Sequence, residues 1–192
     1  MSANTLEHFY KSIDGYFTFP AFYTWVAEQM VTRPLPHLVE VGVYTGQSAA
    51  FLGVELINRG VQARLDLVDL FVDGGSAAIV LDRLKPVASV IGRASTGCSW
   101  EVAGLYKDAS LDFCFIDANH TDECVSKDID AWRPKVKSGG ILAGHDYTEW
   151  PGFGVIKAVN RRFPRFEVWP GITNGGDAQM QGKFWPCWSV RL

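Results

Sequence analysis

Seven polar side chains stand where apolar runs of this sequence stop: Glu40, Asp69, Ser95, Asp117, His120, His145 and Asp146. A carboxylate such as Asp69, closing the second strand of a strand–turn–helix–strand unit, lies where the ribose hydroxyls of a nucleotide would bind. Histidine titrates near neutral pH, so His120 or His145 can take a proton from a hydroxyl. Asp117 and Asp146 offer a minimal oxygen pair for a hard cation such as Mg²⁺. Such an ion would hold two substrate oxygens and lower the pKa of an attacking hydroxyl. The run Leu38-Val39-Glu40-Val41-Gly42-Val43-Tyr44-Thr45-Gly46-Gln47-Ser48 adds an apolar strand, a turn with two glycines and a helix start. Glycine frees the backbone there, and the helix aims unpaired N–H groups at an adenosine-containing ligand.

These groups act together only if the chain gathers them on one rim. Apolar runs at 38–41, 65–70, 88–91, 111–117 and 141–143 read as buried parallel strands. Segments 48–58, 77–84 and 100–106 read as helices, as do the stripes Val125/Ile129/Trp132 and Val155/Ile156/Val159/Phe163. In the tail, 166–169 and 184–192 have no helix between them and form an antiparallel pair. At the start, Leu6, Phe9, Tyr10 and Ile13 space as one short helix, ended by Asp14-Gly15, and Pro20 opens another bearing Phe22, Trp25, Val26 and Met30. The expected fold is α/β: a doubly wound, mostly parallel seven-stranded sheet with helices on both faces, a C-terminal antiparallel strand pair and N-terminal helices. In such sheets ligands bind beyond the carboxyl ends of the strands, where all seven polar residues fall. Tyr147 and Trp150 then serve as pocket walls, while His120 is equally placed to cap the helix beginning at Thr121 and His145 to be a satisfied core residue.

The 192 residues suffice for one domain, and 47% hydrophobic with 20% charged residues fits a globular chain. A net charge of −3, with no basic stripe, argues against nucleic acid or an anionic membrane as partner. No apolar run reaches membrane-spanning length, and no basic-then-apolar leader opens the chain. Cys98, Cys114, Cys124 and Cys187 lack CxxC spacing, so free thiols and a cytoplasmic location are expected. The N-terminal aromatics would suit a homodimer contact.

The segments VEVGVYTGQSA, DLF, FIDANH and GGILAGHDY together resemble class I S-adenosylmethionine-dependent methyltransferases. The closest resemblance is to the group related to catechol and caffeoyl-CoA O-methyltransferases, among small relatives with a GHDY segment. It runs from about residue 36 to the C-terminus. It implies S-adenosylmethionine as cofactor and a small-molecule or sugar hydroxyl as methyl acceptor. Glu40, Gly42, Tyr44, Ser48, Asp69, Ser95 and Asp117 are the implied cofactor contacts, Asp117 and Asp146 the implied metal ligands, and His120, His145 and Asp146 the catalytic candidates. Residues 34–192 become the methyltransferase domain and 1–33 a lid. Two positions depart from those relatives. Tyr147 stands where a third ligand, Asn, is expected, leaving His145 to replace it, and His120 stands where Lys is common. Two rivals remain: an NAD-binding oxidoreductase, disfavoured because G-V-Y-T-G is not GxGxxG, and a non-catalytic module retaining the cofactor fold.

Overall fold

Every residue of Leu111–Ile116 is buried, as a strand covered on both faces must be. The structure, a computed structural model, describes residues 5–171 and 185–192. Its strands are β1 (His37–Val41), β2 (Arg64–Asp69), β3 (Ile91–Thr96), β4 (Leu111–Ile116), β5 (Val136–Gly144), β6 (Glu167–Trp169) and β7 (Cys187–Arg191). The helices are α1 (Pro20–Met30), α2 (Gln47–Asn58), α3 (Ala77–Arg83), α4 (Ser99–Val102), α5 (Asp122–Trp132) and α6 (Val155–Arg162). Sheet order is β3-β2-β1-β4-β5-β7-β6. Neighbours from β3 to β5 run parallel, and β7 is antiparallel to both β5 and β6. The chain therefore winds outward from β1 to β3, returns across the sheet, and continues from β4. The switch point between β1 and β4 is where such folds open a crevice.

Side-chain alternation divides the core into two layers. Phe113 and Phe115 join the helices α1 and α2 on one face, while Cys114 and Ile116 join α5 and α6 on the other. Thr121 caps α5 by accepting from the Cys124 N–H, with Asp122 and Glu123 in the first turn, so it is Thr121 and not His120 that fills this role. Arg161 and Arg162 of α6 pair with Asp122 and Asp130 of α5. The four cysteines are free. Among the described residues no helix is long and apolar enough to cross a membrane.

Three expectations change. Residues 5–13 hold only a 3-10 turn at Tyr10–Ser12 in place of a helix. Side chains of α2 satisfy their backbone instead. Asn58 brackets Leu6 through its N–H and C=O, and Gln47 donates to the carbonyls of Tyr10 and Ile13. The third strand is Ile91–Thr96, beginning where the apolar run Ala88–Ile91 ends. It is an edge strand, so Ile91 to Ser95 are half-buried, Thr96 is exposed, and Arg93, Ser95 and Thr96 break the apolar pattern. The last strand starts at Cys187; Phe184 lies outside the described residues. The N-terminal residues Phe17, Phe19, Phe22, Tyr23, Val26 and Met30 belong to the same buried cluster as α2 and the sheet.

Polar residues at the amino ends of the strands are fully engaged. Asp66 accepts from His37, Arg64, Tyr106 and the Arg93 N–H, and these partners hold it well below the usual carboxylate range against the effect of its burial. That rim holds the sheet together; the carboxyl rim is where open capacity remains.

Candidate active site

A cleft of about 1300 Å³ runs along the carboxyl rim. Its walls come from the loop before α1, the turn after β1, the loops after β2 and β3, and the ends of β4 and β5. Gly42, Tyr44, Ser48, Asp69, Asp117, His120, His145 and Asp146 all line it. Glu40 and Ser95 do not.

Asp69 organises the turn that faces it. One carboxylate oxygen accepts the N–H groups of Val43 (2.6 Å) and Tyr44 (2.9 Å), and the other accepts that of Phe71 (2.8 Å). A carboxylate has about four acceptor positions, so three bonds leave capacity for a ligand hydroxyl. Tyr44 itself sits at φ +50 and is 42% exposed in the cleft wall.

Glu40 lies beneath the cleft and is 1% exposed. Ser48 Oγ reaches its Oε1 at 2.5 Å and Tyr23 OH its Oε2 at 3.0 Å. The expected direct contact becomes an internal support: side chains alternate along β1, and Glu40 points to the α1–α2 layer. Burial pushes its carboxyl up to about 8, although the Ser48 and Tyr23 hydroxyls pull the other way. A carboxyl that binds its proton more tightly when folded loses stability as pH rises from its unfolded value through its folded one. Stability should therefore fall between about pH 4.5 and about pH 8 by at most roughly 4 kcal/mol from this group. Glu40→Gln should flatten that slope in urea titrations at pH 5, 7 and 8.5, and equal slopes in both proteins would contradict this account.

Ser95 is inside β3, opposite Val68, and the cleft is lined instead by Gly97, Cys98, Ser99 and Trp100 just beyond. The displaced start of β3 explains the shift. Tyr147 also leaves the wall: its ring packs on Phe166 and its hydroxyl donates to Asn160. Trp150 does line the cleft, with Phe153 and Trp185.

At the other end of the cleft four groups converge. His120 Nε2 is 2.8 Å from Asp146 Oδ2 and 3.6 Å from Asp117 Oδ1. It is within ion-pair range of both, without the alignment of a hydrogen bond. His145 Nδ1 is 3.1 Å from Asp146 Oδ1 and 3.7 Å from Asp117 Oδ1. The other nitrogen of His145 meets Thr18 Oγ1 at 2.9 Å and the Trp185 carbonyl at 3.1 Å. A carbonyl can only accept, so Nε2 carries a proton toward Trp185, while Nδ1 faces both carboxylates at ion-pair range. Burial opposes a positive charge on the ring, but Asp117 and Asp146 outweigh it and raise His145 to about 10; the same balance raises His120 to about 9. Burial would raise Asp146, yet the two histidines hold it well below its usual range. The two carboxylates thus favour the protonated form of both histidines. His145 is 7% exposed, held through Nε2 by Thr18 and the Trp185 carbonyl with Nδ1 turned to Asp146, which makes it a positioning residue for Asp146. Asp117, with a side chain 23% exposed, has no such hold and opens on the cleft.

Asp117, His120 and Asp146 each present one ligand atom within 4.8 Å of the others, close enough to share a cation. The third member is His120, where the sequence pointed to His145. Thr18 and Trp185 were not foreseen, because nothing in their local sequence marks them; the fold alone brings them to His145.

Residues 39–147 match the family described as a methyltransferase domain. In structure the chain is similar to a SAM-dependent O-methyltransferase from Thermotoga maritima, at 14% identity and TM-score 0.64, covering 93% of this chain and 68% of that one. It is also similar to an rRNA methylase from Streptococcus thermophilus, at 14% identity and TM-score 0.63, covering 90% and 95%. The O-methyltransferase from Bacillus cereus, solved in complex with SAH, aligns at 13% identity and TM-score 0.61, covering 95% and 86%. At such identities the likeness concerns the fold. No curated protein is a significant match to the chain.

Proposed function

The chain belongs to the methyltransferase-domain family, and from that premise we propose that it transfers a methyl group from S-adenosylmethionine to a hydroxyl of a small molecule or sugar. The carrying observation is that one cleft holds both the Asp69-braced glycine turn and the Asp117–His120–Asp146 cluster. The first is built for a nucleoside and the second for an oxygen that must lose its proton.

When bound, S-adenosylmethionine would supply an electrophilic methyl group on a sulfonium. Asp69 and the turn at Gly42–Tyr44 would hold its ribose and methionyl portions, and the loop Gly97–Trp100 its base. Asp117 accepts the proton that the acceptor hydroxyl gives up as its oxygen gains the methyl group. His120, held against Asp146 and stacked on Phe153, presents a positive charge that favours the deprotonated oxygen. Trp150, Phe153 and Trp185 give the acceptor an aromatic wall, and residues 15–20 close the cleft from the N-terminal side. Alignment of acceptor oxygen and methyl carbon is the larger part of the work, since holding both reactants removes the entropy of their encounter.

A divalent ion is the second reading, favoured by the spacing of Asp117, His120 and Asp146. An imidazole with two carboxylates suits a metal such as Mn²⁺ better than Mg²⁺, which prefers oxygen and water. The ion would supply the positive charge in place of the proton on His120 and lower the pKa of the acceptor hydroxyl. Chelator separates the two: full turnover in EDTA leaves the histidine charge, and loss restored by Mn²⁺ assigns the metal.

Calorimetry should detect S-adenosylhomocysteine and no binding of NAD. Asp69→Ala should weaken S-adenosylhomocysteine by about 1–3 kcal/mol. Release of S-adenosylhomocysteine in the presence of phenolic, catecholic and sugar acceptors then identifies the acceptor class. Binding of NAD alone would reject a methyltransferase role.

A further inference from the structure

Asp128 is 1% exposed on α5, and neither of its carboxylate oxygens has a hydrogen-bond partner. The other buried carboxylates among the described residues are all engaged: Glu40 by Tyr23 and Ser48, Glu55 by His8 and Arg59, Asp66 by four donors, Asp112 by Arg33 and Lys137, Asp146 by the two histidines. An unmet buried carboxylate is costly, and a native site that keeps one has a use for its acceptor capacity. Burial raises the Asp128 pKa to about 6; the nearby Ser99 hydroxyl, whose oxygen accepts from Trp132 Nε1, pulls the other way without meeting the distance and angle of a hydrogen bond to Asp128.

The location narrows the use. Asp128 lines the cleft together with Cys124 of α5 and with Gly97, Cys98, Ser99 and Trp100 after β3. Asp69 ends β2, so a nucleoside whose ribose meets Asp69 carries its base toward the neighbouring loop after β3. The acceptor cluster follows β4 and β5, on the far side of the switch point. Cys98, Cys124 and Trp100 offer soft, apolar contact to a flat ring, and beside them Asp128 presents carboxylate oxygens that make no hydrogen bond of full geometry.

We propose that Asp128 is a base-specificity residue that accepts a hydrogen bond from the exocyclic 6-amino group of adenine. The proposal rests on the cofactor reading above and adds to it which edge of the base is read. An amino group supplies the missing donor. A 6-oxo purine would instead set a carbonyl oxygen against the carboxylate, and a site built around a buried polar group rejects the wrong partner strongly.

The test compares S-adenosylhomocysteine with S-inosylhomocysteine, its 6-oxo analogue, by calorimetry. The wild-type protein should favour the amino ligand by roughly tenfold or more. Asp128→Asn keeps the shape, and its amide can turn either its oxygen or its nitrogen to the base. It should retain adenine binding within a few-fold, bind the 6-oxo ligand better than the wild type does, and bring the ratio near one. Asp128→Leu should weaken the amino ligand and also lose the ratio. A purely structural Asp128 would change both affinities together and leave their ratio intact. An unchanged ratio in Asp128→Asn, or equal affinities in the wild type, overturns the proposal. Wild-type protein that binds neither ligand overturns the cofactor reading instead, so the two failures are distinguishable.

Discussion

Asp146→Asn should reduce methyl transfer by about 10²–10³-fold while leaving S-adenosylhomocysteine affinity within a few-fold of wild type. Asparagine keeps the shape and tolerates the left-handed backbone at this position, φ +57, which alanine would not. What it removes is the negative charge that His120 approaches at 2.8 Å and His145 at 3.1 Å. His145 would then be a buried cation whose nearest carboxylate is Asp117, 3.7 Å away. Breaking a buried ion pair by taking one partner costs about 3–5 kcal/mol, and a loss of stability of that order should accompany the loss of rate. His120 loses its anchor at the same time, and a misplaced charge contributes little to a transition state. Steady-state release of S-adenosylhomocysteine with the best acceptor gives the rate, and urea denaturation gives the stability. In a double-mutant cycle, His120→Gln should add little to Asp146→Asn, since the two act as a unit. Wild-type turnover in Asp146→Asn would remove this cluster from the chemistry.

The strands that carry the site were legible because burial on both faces leaves an unmistakable record: Leu38–Val41 and Leu111–Ile116 are apolar runs that stop at an acid or a glycine. Their order and the single return across the sheet place Asp69, Asp117, His120, His145 and Asp146 on one rim without reference to coordinates. The roles within that rim were less legible. Glu40 shares its sequence signature with a ligand contact, yet whether it meets the cleft or Tyr23 depends on which face of β1 the N-terminal helix covers. The orientation of His145 depends on Trp185, forty residues later, and on Thr18, in a loop with no local marker. β3 was misplaced because an edge strand needs no continuous apolar run. The helical spacing of Leu6 to Ile13 was real but outcompeted, since Asn58 and Gln47 offer that backbone its hydrogen bonds without a helix.

Gly42→Ala should lower stability by about 3 kcal/mol or more and abolish detectable S-adenosylhomocysteine binding. Two costs combine at this residue. Its φ is +87, a conformation that charges an L side chain about 1–2 kcal/mol. The added Cβ would also lie 1.9 Å from the Asp117 carbonyl oxygen, 2.3 Å from its carbon and 2.8 Å from the Ala118 nitrogen. All three are backbone atoms, so no rotamer change relieves the clash and the ends of β1 and β4 must separate. The end of β1 is tied to β2 by Gly42 N–H to Val68 O (2.8 Å) and to β4 by Asp117 N–H to Val41 O (2.7 Å). Prying β1 and β4 apart displaces the turn braced by Asp69 on one side and Asp117 on the other, so the cofactor end and the acceptor end lose register together. Gly60→Ala is the matching control, because Gly60 has φ +68 with nothing within 4 Å of its added Cβ. It should cost only the backbone term, about 1 kcal/mol, and leave ligand affinity unchanged. If both variants lose the same stability and both still bind, conformational preference alone explains Gly42, and the close approach of β1 to β4 is not what holds the two halves of the cleft in place.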